Sequence, residues 1–185
     1  MIWGQDNPSL LQMAVPSLNI APDARGGGMG DMGAATLPDI NSQYWNAAKY
    51  AFMGSKAGVS LSYTPWLRKL VNDVALVNMT GYYKLGNSDL QAISASLRYF
   101  SLGEVNIWEN IGDVPYGLNP YEMAFDVAYS RKLSESYSMA VTLRYIRSDM
   151  GTDQNDESNA GNAFSADISG YLEKYVLMGL SLIHI

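Results

Sequence analysis

The sequence predicts an all-β fold whose main part is a transmembrane antiparallel β-barrel, preceded by an irregular N-terminal plug segment. Three observations predict this. From residue 57 onward, apolar and polar residues alternate with a period of two, as in strands with one apolar and one polar face. The connections between these strands alternate between long and short, as in outer-membrane barrels. The chain is 48% hydrophobic and 16% charged, and no apolar run approaches the roughly 20 residues of a membrane helix.

Residues 1–56 differ in composition from the rest of the chain. They contain four prolines and the glycine-rich run 26–30, so long regular elements are not expected there. A short helix is expected near Tyr44 to Phe52, with Asn41 or Ser42 as its cap. We therefore predict that residues 1–56 form an irregular plug, and that residues 57–185 form the first half of a barrel.

The alternating pattern predicts seven strands. They are expected at 57–65, 74–84, 90–109, 118–133, 136–149, 162–174 and from 176 onward. The links at 66–73, 110–117 and 150–161 are long, whereas those at 85–89, 134–135 and 175 are short. Since neighbouring antiparallel strands place successive links at opposite ends, the first strand is expected to start on the periplasmic side.

Aromatic residues cluster toward both ends of the predicted strands. Those near the short turns are Tyr83, Tyr129, Tyr137 and Tyr175, and those toward the long links are Tyr63, Trp66 and Tyr145. Two such belts are typical of membrane interfaces. The alternative is a soluble β-sandwich, in which tyrosine would be frequent only because it favours strands.

Composition also excludes several classes of function. The net charge of −6 does not suit nucleic-acid binding, which needs a basic surface. With no cysteine in the chain, there is no thiolate metal site or disulfide framework. The single histidine, His184, lies in residues 180–185, which resemble a translated sequencing adapter; if they are one, this histidine is not part of the native sequence. We predict no enzyme, no cofactor and no metal site.

Two motifs have a chemical interpretation that we consider and set aside. Residues 28–33 match G-x-G-x-x-G, but a dinucleotide site needs a strand before this loop and a helix after it, and prolines flank it here. We expect Asp23, Arg25, Gly28, Gly30 and Asp31 to belong to the plug instead, with the glycines allowing close backbone approach. The acidic stretch 149–157 lacks the spacing of a calcium-binding loop and is expected to be a solvated outer loop.

The two strand faces lead to specific placements. Val59, Leu61, Leu97, Phe125, Val127, Leu143 and Ile168 are expected to face lipid, and Ser94, Thr142 and Ser165 the lumen. The centre of each link sets a register. This register puts Arg98 opposite Asp126, Asp126 opposite Arg144, and Arg144 opposite Asp167, as a structural charge ladder in the lumen that fixes the register and anchors the plug. The alternative is a direct role of the ladder in binding.

The outer link at 66–73 is the candidate partner-binding loop. Its residues Trp66, Leu67, Arg68 and Leu70 combine a large aromatic residue, aliphatic residues and a basic residue. Tryptophan and arginine often dominate protein interfaces. The alternative is that Trp66 belongs to the interface belt and that the rest of the loop is solvated.

A series of motifs in order resembles the PorV family of the type IX secretion system. The motifs are residues 18–25 (LNIAPDAR), 27–31 (GGMGD), 33–36 (GAAT), 41–46 (NSQYWN), 62–67 (SYTPWL), 93–103 (ISASLRYFSLG), 128–133 (AYSRKL) and 144–149 (RYIRSD). The resemblance covers roughly residues 15–175. One departure is Asn46-Ala47-Ala48, where the family usually has Asn-Pro-Ala.

The resemblance implies a FadL-like barrel of fourteen strands, about seven of them present here, in the outer membrane of a Bacteroidetes cell. It implies a secretion component that takes cargo with a C-terminal secretion domain from the translocon and passes it to the surface attachment proteins. The partners are then these proteins and the lipid bilayer, without nucleic acid. The alternative is a FadL-like transporter of hydrophobic small molecules.

Overall fold

The computed structural model describes residues 15–66, 73–86, 89–107, 116–152, 158–173 and 178–184. The chain begins with short helical turns and continues as antiparallel strands. The turns are η1 (Pro16–Asn19), α1 (Ala24–Gly28), α2 (Ser42–Trp45) and η2 (Ala47–Phe52). The strands are β1 (Ala57–Pro65), β2 (Val74–Leu85), β3 (Gln91–Leu102), β4 (Val105–Ile107), β5 (Tyr116–Leu118), β6 (Tyr121–Lys132), β7 (Tyr137–Thr152), β8 (Ser158–Leu172) and β9 (Met178–His184).

Seven strands form one sheet in the order β1-β2-β3-β6-β7-β8-β9. Each pairs with its neighbour in an antiparallel manner, so the sheet is a meander of hairpins. Each strand predicted from the alternation has its main part in this sheet. In the described part of the chain, β1 and β9 each pair on one side only.

The predicted strands 90–109 and 118–133 are interrupted in the structure. Gly103, with φ of +83°, ends β3. Beyond the break, β4 and β5 form a separate two-stranded sheet. The prediction that residues 110–117 are all loop is therefore wrong at its end, since Tyr116 and Gly117 lie in β5.

The predicted helix near Tyr44 to Phe52 is also two pieces. The chain breaks at Asn46, which is extended (φ −167°) and accepts a hydrogen bond from the Ala48 N–H through its side chain. Asn41 precedes α2 without a capping side-chain bond, and the Ser42 hydroxyl bonds Asp39 instead. The predicted cap was wrong because Asn46 caps the second piece. Among the described residues, no helix combines the length and apolar character needed to cross a membrane.

The two faces of the sheet have different surroundings. One face, which we call the covered face, contacts residues 15–56, and the other we call the open face. The alternation is confirmed: Leu61 and Leu143 on the open face are 72% and 63% exposed, whereas Thr142 on the covered face is 3% exposed. The other residues of the two predicted sets follow the same division, namely Val59, Leu97, Phe125, Val127 and Ile168 exposed and Ser94 and Ser165 buried. A soluble sandwich would bury the apolar residues and expose the polar ones, which is the reverse of the pattern described here.

The core lies between η2 and the covered face. Ala47, Ala48 and Tyr50 pack against small and aromatic side chains of β2, β3, β6, β7 and β8. These are Tyr82, Ala92, Ala128, Ala140 and Tyr171. Alanine at these sheet positions allows the backbone of η2 to approach closely, so the plug is held against the sheet by apolar packing.

Candidate functional site

The four residues of the predicted charge ladder lie on the covered face of four neighbouring strands. Asp126 is directly opposite Arg144, as predicted. The other two registers were wrong by two residues: Asp126 is opposite Ser96, not Arg98, and Asp167 is opposite Thr142, not Arg144. The long links are not symmetric about their centres, so loop length alone does not set the register of the strands beside them.

Asp126 and Arg144 form a buried ion pair with two hydrogen bonds. Arg144 Nε lies 2.6 Å from Asp126 Oδ1, and Arg144 Nη2 lies 3.1 Å from Asp126 Oδ2. The Ser96 hydroxyl donates to Oδ2 at 3.1 Å. A side-on bidentate geometry is the strong form of this interaction, and it joins β3, β6 and β7 at one level.

Arg98 and Glu122 bind the start of the plug. Arg98 Nη1 donates to the carbonyl oxygens of Ser17, at 2.7 Å, and Ile20, at 3.0 Å. Glu122 Oε2 accepts from the Ser17 N–H at 3.1 Å. These two side chains therefore hold η1 by its backbone.

Tyr44 completes this contact from the plug side. The Arg98 guanidinium lies over the Tyr44 ring, 4.5 Å from its centroid, and the Tyr44 hydroxyl donates to the Leu18 carbonyl at 2.7 Å. Burial raises the pKa of Tyr44, and the nearby positive charge of Arg98 offsets part of that rise. Tyr44 thus stays neutral and serves as a donor.

The second half of the plug is fixed to the short-turn end of the covered face. Asn46 Nδ2 donates to the Gly170 carbonyl at 2.9 Å, and the Ser138 hydroxyl donates to the Ala48 carbonyl at 2.7 Å. The Tyr50 ring stacks on Tyr82 at 4.8 Å. These contacts satisfy polar groups inside an otherwise apolar core.

Lys49 lies fully enclosed within the plug. Its amine donates to the Gly33 carbonyl at 2.9 Å and to the Thr36 hydroxyl at 3.1 Å. Burial lowers the pKa of Lys49 to about 8, against a smaller opposing effect of the Asp39 carboxylate. The amine therefore connects residues 33–36 to η2 by hydrogen bonds. Because the amine is buried, its charged form costs free energy.

The glycine-rich motif wraps an aromatic ring. A Cβ at Gly33 would overlap with the Trp45 indole, and one at Gly26 would lie 3.0 Å from it. The expectation of close approach was wrong for Gly28 and Gly30, which have open space around them. Gly30 instead adopts a positive φ of 74°.

The remaining plug residues have local roles. Asp23 caps α1 by accepting from the Gly26 N–H at 3.0 Å. Arg25 forms an exposed ion pair with Asp39 at 3.3 Å. Asp31 adopts a positive φ of 58° just after Gly30, which makes it part of a tight turn. Asp23, Arg25 and Asp31, like Gly28 and Gly30, do not lie in the strand-loop-helix arrangement of a dinucleotide site.

The open face has an apolar band with charges only at its ends. In β1 to β3 and β6 to β8, its charged residues are Arg131 near the short turns, and Arg147 and Asp149 near the long links. Arg131 is opposite Met139. The eight residue steps from 139 to 147 span about 27 Å along β7.

Exposed tyrosines of the open face lie toward both ends of this band. Tyr83 and Tyr129 are exposed near the short turns, and Tyr63 is exposed near the long links, where Trp66 follows β1. Between them, Gly81 and Ala95 form the floor of a shallow apolar depression of about 510 Å³. The band therefore combines an uncharged centre with amphipathic ends.

Two predicted sites lie outside the described residues. The first is the candidate partner loop, of which Leu67, Arg68 and Leu70 are not described. Trp66, at the edge of this loop, is described and is 39% exposed. The second is the acidic stretch 149–157, most of which also lies outside the described residues. Within the described ranges, no group of three or more His, Cys, Asp or Glu side chains could hold a metal ion.

Sequence reasoning placed Arg98 in a network that anchors the plug, but it missed the other residues that bind this segment. Glu122 lies on the same face as Asp126, so strand alternation could have placed it, but its partner is a backbone N–H distant in sequence. Tyr44 and Asn46 gave no signal of their contacts with Arg98 and Gly170. Arg98, Glu122, Tyr44 and Asn46 all bind polypeptide backbone. Together they can hold a segment of chain in place.

The comparison with known families agrees with the family that the motifs resemble. Residues 4–177 match the family model described as type IX secretion system protein PorV. No curated protein matches the sequence. The family is one of secretion-system components and is not a known enzyme family. Because the match spans most of the 185 residues, the chain belongs to the PorV family of the type IX secretion system.

Proposed function

We propose that this protein is a non-enzymatic outer-membrane component of type IX secretion in a Bacteroidetes cell. It receives cargo with a C-terminal secretion domain from the translocon and delivers it to the surface attachment proteins. The observation that carries the proposal is the family match over residues 4–177. The geometry of the sheet supports the location.

The apolar band of the open face supports a position in the bilayer. Strands of membrane barrels tilt by about 35–45°, so a band of about 27 Å along the strand is about 20 Å tall, near the usual apolar height of such barrels. All other charged residues of β1 to β3 and β6 to β8 are on the covered face: Lys84, Arg98, Glu122, Asp126, Lys132, Arg144 and Asp167. Charged residues in the centre of the open face would be costly if that face contacts lipid.

A closed barrel of the FadL-like type is part of the proposal. The sheet is a meander in which sequence neighbours pair, and β1 and β9 are its end strands in the described chain. Further strands between β9 and β1 would satisfy both edges, which a bilayer requires. Residues 15–56 would then fill the interior as a plug.

Transport of a hydrophobic small molecule receives less support. The depression around Gly81 and Ala95 is apolar but lies on the open face. The described covered face carries buried polar side chains beside a small apolar core, and residues 15–56 pack against it. We therefore retain secretion as the proposed function.

Deletion of the gene tests the function. We expect many surface and secreted proteins to be lost together, and their precursors to accumulate inside the cell. Complementation with the full-length gene serves as the control. Normal export in the deletion strain would reject the proposal, as would recovery of the protein outside the outer-membrane fraction.

The loop after Trp66 is the proposed partner contact. We expect Trp66→Ala combined with Leu67→Ser to lower surface attachment of cargo without changing insertion, since loops carry binding where the wall is committed to lipid. The matched control is Tyr63→Ala, which removes an exposed aromatic from the same end of the band. Undiminished attachment in the double variant would exclude this loop.

A further inference from the structure

The turn η1 lies between two opposite charges of the covered face. Glu122 accepts a hydrogen bond from the Ser17 N–H at the start of the turn. Arg98 donates to the carbonyl of Ile20, at the end of the turn, and to that of Ser17, which also accepts from the Ile20 N–H. Free N–H groups at the start of a helical turn favour an anion, and free carbonyls at its end favour a cation. The two side chains therefore complement the backbone polarity of the turn.

These contacts depend on the backbone and not on which side chains residues 15–20 carry. The hydrogen bonds described for Arg98 and Glu122 go to the peptide groups of Ser17 and Ile20. The Tyr44 hydroxyl also binds a carbonyl, that of Leu18. Another polypeptide segment with a similar turn would offer the same groups.

Arg98 and Glu122 can form more hydrogen bonds than residues 15–20 provide. Arg98 and Glu122 are 4% and 1% exposed. Within the described chain, Arg98 Nη2 and Glu122 Oε1 have no hydrogen-bond partner. A buried charged group with an unpaired atom is costly, so the present segment does not satisfy the site fully.

The plug is held differently at its two ends. Residues 42–52 are fixed by apolar burial, with Ala48 and Tyr50 fully enclosed. Residues 15–20 are held mainly by the polar contacts of Arg98, Glu122 and Tyr44. Glu122 is the second residue of β6, beside the long-link end of the sheet. The weakly packed end of the plug thus lies at the end where the loops are expected to meet partners.

We propose that Arg98 and Glu122 form an exchangeable binding site for polypeptide backbone, occupied here by residues 15–20 and available to a segment of cargo that enters from the long-link end. The inference rests on the proposed function, because it names where cargo contacts the protein. Residues 42–52 stay in place during the exchange and keep the short-turn end closed.

The first test measures whether the two ends of the plug are released separately. Arg25 is the only basic residue before Lys49, so trypsin reports the first part of the plug at Arg25 and the second at Lys49. In the full-length protein we expect Arg98→Gln to speed cleavage at Arg25 by on the order of tenfold, from the loss of charged hydrogen bonds. Cleavage at Lys49 should not change.

Two further variants keep this test decisive. Arg131→Gln removes the same charge from the open face and should leave both cleavage rates unchanged. Glu122→Gln retains a hydrogen-bond acceptor and should release the Arg25 site less than Arg98→Gln does. Equal acceleration at Arg25 and Lys49 in the Arg98 variant would show that the plug opens as one unit, and would overturn the proposal.

The second test uses cargo. A diazirine amino acid at Ala124, which is opposite Arg98 on the covered face, should crosslink to residues 15–20 in the free protein and to cargo in the purified complex with a C-terminal secretion domain. The same label at Leu143 on the open face is the control and should capture no cargo. Cargo that co-purifies while the Ala124 label still captures residues 15–20 would overturn this site alone. Failure of cargo to co-purify would overturn the proposed function itself.

Discussion

The ion pair between Asp126 and Arg144 is the strongest charged contact of the covered face. Both side chains are largely buried, at 8% and 14% exposure. Within low-dielectric surroundings, the loss of one partner leaves the other charge uncompensated, whereas loss of both is tolerated better. The pair is therefore expected to fix the register of β6 and β7 more than it adds net stability.

We expect Asp126→Leu to lower the free energy of unfolding by about 3–5 kcal/mol, and Asp126→Leu with Arg144→Met to lower it by much less. Urea unfolding of the full-length protein in detergent measures both. Arg25→Met breaks the exposed pair with Asp39 and should cost roughly 0–1 kcal/mol as the control. A double variant as unstable as the single one would contradict the pair as the source of the effect.

Lys49 predicts a pH dependence of plug stability. Its pKa is lowered to about 8 in the folded chain from an ordinary 10.5. Between these values the unfolded chain binds more protons, so the free energy of unfolding should rise as pH increases from about 8 to 10. Below about pH 8, where the amine is charged in both states, the free energy of unfolding is on the order of 3 kcal/mol lower than it would be if folding left the pKa of Lys49 unchanged.

The expected measurement is therefore a melting temperature that increases between pH 7.5 and 9.5 in the wild type and increases less in Lys49→Met. Lys56→Met, which changes an exposed lysine, should retain the wild-type slope. A slope that persists unchanged in Lys49→Met would assign the pH dependence to other groups.

At the scale of elements, the glycine motif and η2 are positioned by close packing. Gly33 lies against the Trp45 indole, and alanine residues of the sheet lie under η2. Small side chains are required at these contacts because the neighbouring backbone or ring occupies the space. Gly28, Gly30 and Gly54 in the same segment have no such neighbours.

Gly33→Ala is expected to displace the Trp45 ring and expose it to solvent, whereas Gly28→Ala should not, since nothing lies within 4 Å of a Cβ there. Acrylamide quenching reports this in a chain whose other three tryptophans are phenylalanine. Faster quenching in Gly33→Ala alone is the expected result. Equal quenching in the two variants would show that the ring is not confined by Gly33.

Ala140→Leu is expected to destabilise the protein by about 1–3 kcal/mol, because it forces a larger side chain between the sheet and η2. Ala140 is 2% exposed, whereas its neighbour Val141 on the open face is 49% exposed. Val141→Leu is thus the matched control and should be tolerated. Urea unfolding distinguishes them, and similar losses for both would argue against packing of η2 at this position.

At the scale of the whole molecule, the proposed membrane location predicts a definite depth of the apolar band in the bilayer. We expect Leu143→Arg, in the centre of the band, to cost roughly 2–4 kcal/mol in bilayer stability, and Met123→Arg, in the row of Arg147, to cost only about 0–1 kcal/mol. Folding into lipid vesicles at graded urea concentrations measures both. Equal costs at the two positions would place the bilayer elsewhere on the sheet.

The sequence by itself determined the strands, their two faces and the family, because period-two alternation and ordered motifs are local properties of the chain. It also placed the charges at the correct face of the sheet. It did not determine the registers of Arg98 and Asp167, since a long link can be asymmetric about its centre. Only tertiary structure decided that Asn46 breaks the helix, that Trp45 fills the glycine motif, and that Arg98 and Glu122 hold the turn at Ser17. Apart from the bond between Asn46 and the Ala48 N–H, these contacts join residues distant in sequence, and local patterns carry no information about such partners.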